Sequence, residues 1–329
     1  MKIVIAADLH VGANKFGTSN EKWAAPLVEL VDYAIEHAVD AVAVAGDMFH
    51  HRRPTTWASQ FVSDQLFRLT ANDINVIGVD GNHDDGVALD TVSASWFIGD
   101  NRWARKKVSS VHIDGVQIVL MPWVTPQAYQ VQSDLPLSQQ LDEAQFAAMI
   151  ALGTHKMPDV VNILIGHAMV AYGPGADDLA PSPGLQWAGK DVVFDYNTLA
   201  KGFDAVYLGH VHDPRMKGFV GSSQPTDWGD AGQEKSFIEV DISKAPVITE
   251  SYIPYKTSLA LLDVTREGPF TPPFDDIDIA PMGENKWDVG RYRYHVKAGD
   301  WEPDTEAIAT IRSQMERLCD RVESIEVTK

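Results

Sequence analysis

A recurring strand ending is the feature that most constrains the fold of this chain. Four apolar runs each end in a glycine that is followed by a residue able to bind a metal ion. The runs are AVAVAGD, VIGVDGN, NILIGH and AVYLGH, and the residues after their glycines are Asp47, Asn82, His167 and His210. Short apolar runs bounded by glycine are typical of buried strands, and glycine lets the chain turn sharply at a strand end. The sequence therefore predicts buried strands that end beside a polar site.

Two strand ends, a fifth one near the N-terminus and the last of the four above, carry pairs of ligand-type residues two positions apart. The first strand ends in AADLH, and the last motif is YLGHVHDP. Residues i and i+2 of an extended chain point to the same face. Because ligands bind beyond the carboxyl ends of strands in layered α/β folds, we expect one convergent set of side chains: Asp8, His10, Asp47, Asn82, His167, His210 and His212.

This convergent set has the composition of a site for two metal ions. It contains carboxylates, imidazoles and one amide, and no sulfur. Seven ligands are more than one ion usually takes from a protein. They suit two ions roughly 3.5–4 Å apart that share one bridging carboxylate. Imidazole with carboxylate suits Mn, Fe or Zn better than Ca or Mg. Each residue alone is more often a turn or core residue, and the ordered series of strand ends favours a dimetal site.

Composition bounds the class of protein. The 329 residues are 45% hydrophobic, enough for a large core, and the single Cys319 excludes a disulfide framework or a thiolate metal cage. We expect a soluble, cytoplasmic protein, because no apolar stretch approaches the length of a membrane span. The net charge of −19 argues against bulk nucleic-acid binding. Two basic segments, HHRRP and RWARKK, are exceptions and supply Arg52, Arg53, Arg102, Arg105, Lys106 and Lys107.

Strand and helix patterns alternate along the chain. Strands are predicted at 2–7, 40–46, 74–81, 160–166, 203–209 and 235–242, and helices at 21–39, 55–73, 88–100 and 138–152. A hairpin over 108–124 is predicted to turn at Asp114 and Gly115. Such alternation with some antiparallel pairing is typical of an α/β layered fold.

A second, smaller unit is expected at the end of the chain. The Pro/Gly-rich segment 172–184 and the Pro- and Asp-rich segment 268–285 are predicted loops. A predicted strand, helix and strand follow at 291–297, 303–321 and 323–328. We therefore expect a main domain over 1–253 and a small α+β domain over 254–329.

The order of the motifs resembles a known family. D-x-H, G-D, G-N-H-D, G-H and G-H-x-H, from residue 8 to residue 212, are similar to the signature of calcineurin-like metallophosphoesterases. Within that superfamily, GDMFHHRRPT, LGHVHDP and VGSSQPTDWGDAGQEKSFIEVDI resemble the SbcD-type nuclease, the catalytic subunit of SbcCD-like double-strand-break repair complexes. The resemblance covers residues 1–253 and, more weakly, the tail. It implies a β-sandwich flanked by helices, with the C-terminal unit as a capping domain.

The resemblance also implies roles for individual residues. It assigns metal one to Asp8, His10, Asp47 and His212, and metal two to Asp47, Asn82, His167 and His210. Two divalent ions would activate a water for in-line attack on phosphorus. Mn²⁺ is the expected metal, and Fe, Zn and Mg are the alternatives. His83 would lie against the scissile phosphate and support the leaving group. His50 is a second substrate contact, and Asp84 either orients His83 or is a turn residue.

Partners follow from the same resemblance. They are DNA, an SbcC-like coiled-coil ATPase and a second copy of the chain, paired through helices near 55–73 and 87–99 that carry Trp57, Phe61 and Trp96. The chain stops at ESIEVTK, where family members usually continue into a helical segment that grips the ATPase. Truncation, a compact variant of the kind that phages encode, and a different docking site all stay open.

Three functions remain open on the sequence alone. The first is an Mn-dependent DNA exonuclease or endonuclease in double-strand-break repair or recombination. The second is a phosphatase or phosphodiesterase acting on a small nucleotide or a phosphoprotein, favoured by the acidity and the short C-terminus. The third is a binding subunit of an ATPase with a vestigial metal site, and the complete set of motif residues argues against it.

Overall fold

Two packed β-sheets with helices on their outer faces form the body of the protein. This computed structural model describes residues 1–84, 102–172, 190–267, 290–297, 308–309, 312–313 and 321–328. Among the helices in these ranges, none combines the length and the apolar character that crossing a bilayer requires. The α/β layered sandwich expected from the sequence is confirmed.

Strands outnumber helices in the described part of this body. The strands are β1 Lys2–Ala6, β2 Ala41–Ala45, β3 Asn75–Val79, β4 Arg102–Ala104, β5 Ser109–Ile113, β6 Val116–Met121, β7 Val161–His167, β8 Met169–Ala171, β9 Val193–Asp195, β10 Ala205–Gly209, β11 Ser236–Lys244 and β12 Val247–Pro254. The helices are α1 Asn20–Glu36, α2 Thr56–Thr70, α3 Leu137–His155 and α4 Tyr196–Ala200.

Sheet order places the strand ends that carry the motifs at common edges. The larger sheet has the order β12-β11-β1-β2-β3-β4, and the smaller has the order β10-β7-β6-β5. Strands β1 to β4 run parallel to one another, as do β6, β7 and β10. Within each sheet, the carboxyl ends of these parallel strands therefore reach the same edge.

Alternation along the strands builds three apolar layers. On β1, Ile3 and Ile5 face the smaller sheet, whereas Val4 faces α1 and α2. Helices α3 and α4 cover the outer face of the smaller sheet. The two helices on the larger sheet begin at side-chain caps, because Ser19 accepts from the Lys22 amide and Thr55 from the Ala58 amide.

The predicted hairpin is confirmed, with left-handed backbone at Asp114 and Gly115 between β5 and β6. Strand β12 was not predicted, because its sequence VITESYIP has no apolar alternation and most of its side chains are exposed. It is held by antiparallel backbone pairing with β11. The predicted helix at 88–100 and most of the predicted loops at 172–184 and 268–285 lie outside the described residues.

A separate parallel sheet forms near the end of the chain. Its strands are β13 Ala260–Glu267, β14 Gly290–Lys297 and β15 Arg321–Thr328, in that order. The last two correspond to predicted strands, and β13 was not predicted. Of the predicted helix at 303–321, the structure describes 308–309 and 312–313, which are helical, and residue 321, which begins β15 instead. The division into domains at residues 253 and 254 stays a prediction.

The segment that enters this sheet is hydrogen-bonded to the main body. The Glu29 carboxylate of α1 accepts from the Lys256 and Thr257 amides, both at 2.9 Å. The Leu259 amide donates to Gln224 Oε1 at 2.7 Å. The Gly232 amide donates to the Leu261 carbonyl at 2.9 Å. The chain between β12 and β13 is therefore fixed at several points.

Gly46 and Gly115 form a matched pair for testing how tightly the sheets pack at the strand ends. Both have left-handed backbone, with φ of +86° and +80°, but a Cβ on Gly46 would lie 2.2 Å from His167 Nδ1, whereas one on Gly115 meets nothing within 4 Å. We expect Gly115→Ala to cost about 1–2 kcal/mol of unfolding free energy. Gly46→Ala should cost about 1–3 kcal/mol more. Urea unfolding of both variants measures the difference, and equal losses would contradict this tight packing.

Candidate metal centre and active site

The seven predicted ligands all lie at the carboxyl ends of strands. Asp8 and His10 follow β1, Asp47 follows β2, and Asn82 follows β3. His167 is the last residue of β7, and the two remaining histidines, His210 and His212, follow β10. The larger sheet thus contributes four of these residues and the smaller sheet three, and their contacts divide them into two ligand groups.

The first ligand group contains Asp8, His10, Asp47 and His212. The Nε2 atoms of His10 and His212 face each other at 3.3 Å. His212 Nε2 lies 4.0 Å from Asp8 Oδ1, and His10 Nε2 lies 3.8 Å from Asp47 Oδ2. This is the set that the resemblance assigned to metal one.

The second ligand group is centred on an amide oxygen. Asn82 Oδ1 lies 3.0 Å from His167 Nε2 and 3.0 Å from His210 Nδ1. His167 Nε2 lies 3.6 Å from Asp47 Oδ2. The same carboxylate oxygen of Asp47 therefore faces both ligand groups, as a bridging ligand would.

The electrostatics of the two groups fit a pair of cations. Burial raises the pKa of Asp47 well above its ordinary range, and Asp84 and Asp8 raise it further. Burial also raises the pKa of Asp8 to about 6, and it lowers the pKa of His10 and His167 well below the usual value. Buried carboxylates facing neutral imidazole nitrogens need positive charge between them. Divalent ions with affinity for nitrogen and oxygen supply it.

Hydrogen bonds fix the ring of one ligand histidine and the backbone of two others. His167 Nδ1 donates to the Ala45 carbonyl at 2.8 Å, which leaves the lone pair on Nε2 facing the second ligand group. The buried Trp23 donates from Nε1 to the His10 carbonyl at 2.9 Å. The His210 amide donates to both carboxylate oxygens of Asp8, at 3.1 and 3.0 Å.

Left-handed backbone recurs at the ligands. The φ angles are 50° at Asp8, 46° at His10, 52° at Asp47 and 101° at His210. Residues other than glycine rarely adopt positive φ, and such positions cluster at functional sites. The turns that bring the ligands together are therefore held in a costly conformation by their surroundings.

His83 and His50 lie beside the first ligand group and are half-buried. The His83 amide donates to Asp47 Oδ1 at 2.8 Å, and His83 Nδ1 donates to the His50 carbonyl at 2.8 Å. The two rings stack with centroids 5.2 Å apart. His50 Nδ1 is 3.4 Å from His10 Nδ1. Burial lowers the pKa of both residues, that of His50 to about 4, and this favours the neutral form of both rings.

Asp84 is bound to backbone groups of two loops. Its carboxylate accepts from the amides of Gly81 at 2.9 Å, Phe49 at 3.0 Å and Met48 at 3.3 Å. It thereby ties the loop after β2 to the loop after β3. Because His83 already donates to a carbonyl, this placement favours the turn role of Asp84 over orientation of His83.

The basic residues lie at the same edge of the larger sheet. Arg52 is exposed and donates to the Asn82 carbonyl from Nε and Nη2, at 3.4 and 3.3 Å. Arg53 is exposed nearby in the chain. Strand β4 ends just before the other three cations whose side chains are described: Arg105, Lys106 and Lys107. Because β4 runs parallel to β3, these residues leave the sheet at the edge where Asn82 leaves it. The Arg102 side chain is not among the described ones.

Four residues near the ligands were not predicted from the sequence. The Trp123 ring lies 4.7 Å from the His210 ring and 5.8 Å from that of His167, measured between centroids. Thr226, Asp230 and Lys235 form a buried network beside His212. The sequence signal for Thr226, Asp230 and Lys235 was their position in the stretch 220–242, which resembles the SbcD branch. That resemblance gave none of the three a role.

Comparison with known proteins agrees with this geometry. The family model described as calcineurin-like phosphoesterase matches residues 1–214. The chain belongs to that family. The family uses a dimetal centre, and the two ligand groups could hold metal ions.

Three individual proteins illustrate what this chain is similar to. The chain is 25% identical over 273 residues to the D subunit of the nuclease SbcCD of Staphylococcus epidermidis, covering 78% of this chain and 70% of that protein. It is 30% identical over 89 residues to "DNA double-strand break repair protein Mre11" of Archaeoglobus fulgidus, covering 26% of this chain but only 19% of that protein. A dimetal phosphatase structure from Danio rerio aligns over 78% of this chain and 99% of that one, at 14% identity and a TM-score of 0.40.

Removing the Asp47 carboxylate should empty both metal sites. Its Oδ2 atom faces both ligand groups, so Asp47→Ala is expected to lose two ions per chain rather than one. Metal analysis after dialysis from Mn²⁺ measures this. Asp80→Asn is the control, because Asp80 is buried in the neighbouring loop but accepts from Trp103 Nε1 at 2.9 Å. Full occupancy in Asp47→Ala would contradict the bridging arrangement.

Proposed function

We propose that this protein is a metal-dependent DNA nuclease of the SbcD type, which hydrolyses phosphodiester bonds with two Mn²⁺ ions. The observation that carries the proposal is the pair of stacked imidazoles, His50 and His83, half-buried beside two complete ligand groups. The similarity to a nuclease subunit over most of the chain supports it. We infer a role in double-strand-break repair from the name of the Mre11 relative, and we include recombination in the proposal because it follows from the resemblance to the SbcD type.

The proposed mechanism gives each residue a task. When bound at Asp8, His10, Asp47, Asn82, His167, His210 and His212, the ions supply positive charge for the phosphate and acidify a water. Asp47 fixes the two ligand groups at a constant separation and holds the His83 backbone through Oδ1. His83 Nδ1 is occupied by the His50 carbonyl, so Nε2 is the nitrogen left to face substrate. The negative phosphodiester raises the proton affinity of that nitrogen, so Nε2 would take up a proton from solvent when substrate binds and then donate it to the leaving oxygen.

Phosphate contacts beyond the reaction centre would come from the basic residues at the sheet edge. Duplex affinity depends largely on neutralising phosphates. Arg52, held 3.3 Å from the carbonyl of Asn82, would contact the phosphate next to the scissile one. Arg53 and the segment 102–107 would bind the strand further out. An SbcC-like ATPase is the proposed partner, because the relatives are named as one subunit of a complex.

The alternative is a phosphatase or phosphodiesterase that acts on a small nucleotide or a phosphoprotein. The net charge of −19 favours it, because an acidic surface repels long polyanions. The two functions differ in what the substrate must offer. A nuclease needs contacts along a strand, whereas the alternative needs only the phosphate and its immediate group.

A substrate panel with His83 variants tests the proposal. The full chain with Mn²⁺ is expected to degrade linear duplex or single-stranded DNA faster than it hydrolyses cyclic nucleotides or phosphopeptides. His83→Ala should lose about 10²–10⁴-fold in turnover while retaining both ions. His37→Ala is the control, because His37 directly follows α1, where its Nδ1 donates to the Tyr33 carbonyl at 2.9 Å and its ring stacks on that of Tyr33. Preference for small phosphoesters would favour the alternative, and normal turnover in His83→Ala would remove His83 from the mechanism.

A homodimer through α2 remains part of the proposal. Of the apolar residues on this helix, Leu66 and Leu69 are buried in the core, and Trp57 and Phe61 pack against its edge while stacking on each other. Phe67 is 47% exposed. The second expected helix, with Trp96, lies outside the described residues.

Light scattering tests the dimer directly. We expect a mass of twice 36.2 kDa at micromolar concentration, and Phe67→Glu should shift it to the monomer without loss of hydrolysis of a small phosphodiester. Phe146→Glu is the control, because Phe146 is 68% exposed on α3, on the other sheet. A mass that stays near 36.2 kDa at every concentration would exclude the dimer.

A further inference from the structure

His212 differs from the other ligand histidines in what holds the far side of its ring. The Nδ1 atom of His212 lies 2.7 Å from the hydroxyl oxygen of Thr226. That hydroxyl donates to Asp230 Oδ2 at 3.3 Å, and the Thr226 amide donates to the same oxygen at 2.8 Å. Thr226 and Asp230 are both buried, at 6% and 3% exposure. A chain of hydrogen bonds therefore runs from a buried carboxylate through a hydroxyl to a ligand imidazole.

The number of hydrogens available in this row of hydrogen bonds fixes the tautomer of His212. A threonine hydroxyl has one hydrogen, and an ionised carboxylate only accepts. Because the Thr226 hydrogen points at Asp230, its oxygen must accept from His212 Nδ1–H. The lone pair is then left on Nε2, which faces His10 Nε2 at 3.3 Å. In the opposite tautomer, a proton on Nε2 would occupy the place of the metal ion.

Lys235 contacts both Asp230 and the backbone of His212. Its ammonium lies 3.3 Å from Asp230 Oδ1 and is 3% exposed. It also donates to the His212 carbonyl at 3.0 Å and to Gln233 Oε1 at 2.8 Å. The carboxylate and the ligand backbone are thus fixed by one cation. His167, by contrast, donates to a main-chain carbonyl, which no substitution removes.

We propose that Thr226 and Asp230 are positioning residues for His212, which hold its ring with Nε2 directed into the first ligand group. They touch neither substrate nor metal ion and act through His212. The inference rests on the metal centre of the proposed function, and it is independent of whether the substrate is DNA. Hydrogen-bond partners of ligand histidines generally tune metal affinity about 10–100-fold.

Mn²⁺ titration of the metal-free full chain by calorimetry, with electron paramagnetic resonance, tests the inference. Thr226→Val keeps the shape of the side chain but removes the hydroxyl. It should lower the affinity for one of the two Mn²⁺ ions about 10–100-fold, while the affinity for the other stays near that of the wild type. The spin-coupled spectrum of the ion pair should give way to that of a single ion at limiting Mn²⁺. Thr226→Ser should restore wild-type binding, and Asp230→Asn should resemble Thr226→Val.

Asp227→Asn is the matched control from the same loop. Asp227 Oδ1 accepts from the Gly229 amide at 2.7 Å and caps the short turn Trp228–Asp230. This variant should bind both ions normally. The melting temperature of each metal-free variant separates positioning from folding, because a positioning role predicts lost affinity at unchanged melting temperature.

Several outcomes would overturn the inference. Wild-type affinity for both ions in Thr226→Val and Asp230→Asn would do so, as would a Thr226→Ser variant as weak as Thr226→Val. Equal loss of both ions with a lowered melting temperature would assign the residues a purely structural role. A wild-type chain that binds fewer than two ions would remove the metal centre and the inference together. Two bound ions without DNA cleavage would count against the nuclease alone, while the titration still decides the inference.

Discussion

The buried Asp47 carboxylate is the group on which the rest of the site depends. One of its oxygens faces ligands from both sheets, and the other holds the His83 backbone. This carboxylate is 2% exposed and surrounded by other acids. The backbone at Gly81 can approach this carboxylate closely because glycine has no Cβ, which would lie 2.1 Å from Asp47 Oδ1. Asp84 then ties together the two loops that meet there.

The main features of the fold and the convergence of the candidate ligands could be predicted because they follow short-range rules. Buried strands have apolar runs, and parallel strands place their carboxyl ends at one edge. The i, i+2 rule for extended chains also predicted that Asp8 and His10 lie together. They do belong to one ligand group, although both follow the end of β1 with left-handed backbone rather than extended backbone. Each of these inferences uses only a few consecutive residues, so the sequence displays it directly.

The features that could not be predicted depend on contacts between distant parts of the chain. Thr226 and Asp230 lie in a polar loop that resembles any turn, and only the fold brings the hydroxyl to His212. Asp84 was expected near His83 because they are adjacent, but its carboxylate reaches backbone amides at Met48 and Phe49. Strand β12 is polar, and its partner β11 provides the hydrogen bonds that define it.

The hydrogen bonds that hold the segment between β12 and β13 have a mechanical consequence. The Tyr255 amide donates to the Lys235 carbonyl, and Gly232 and Gln224 bind the next residues of the same segment. These three partners belong to the loop that carries Thr226 and Asp230. Movement of the C-terminal sheet would therefore act on this loop and, through Glu29, also on α1. The position of that sheet and the surroundings of one proposed ligand, His212, would thus be mechanically linked through the loop residue Thr226.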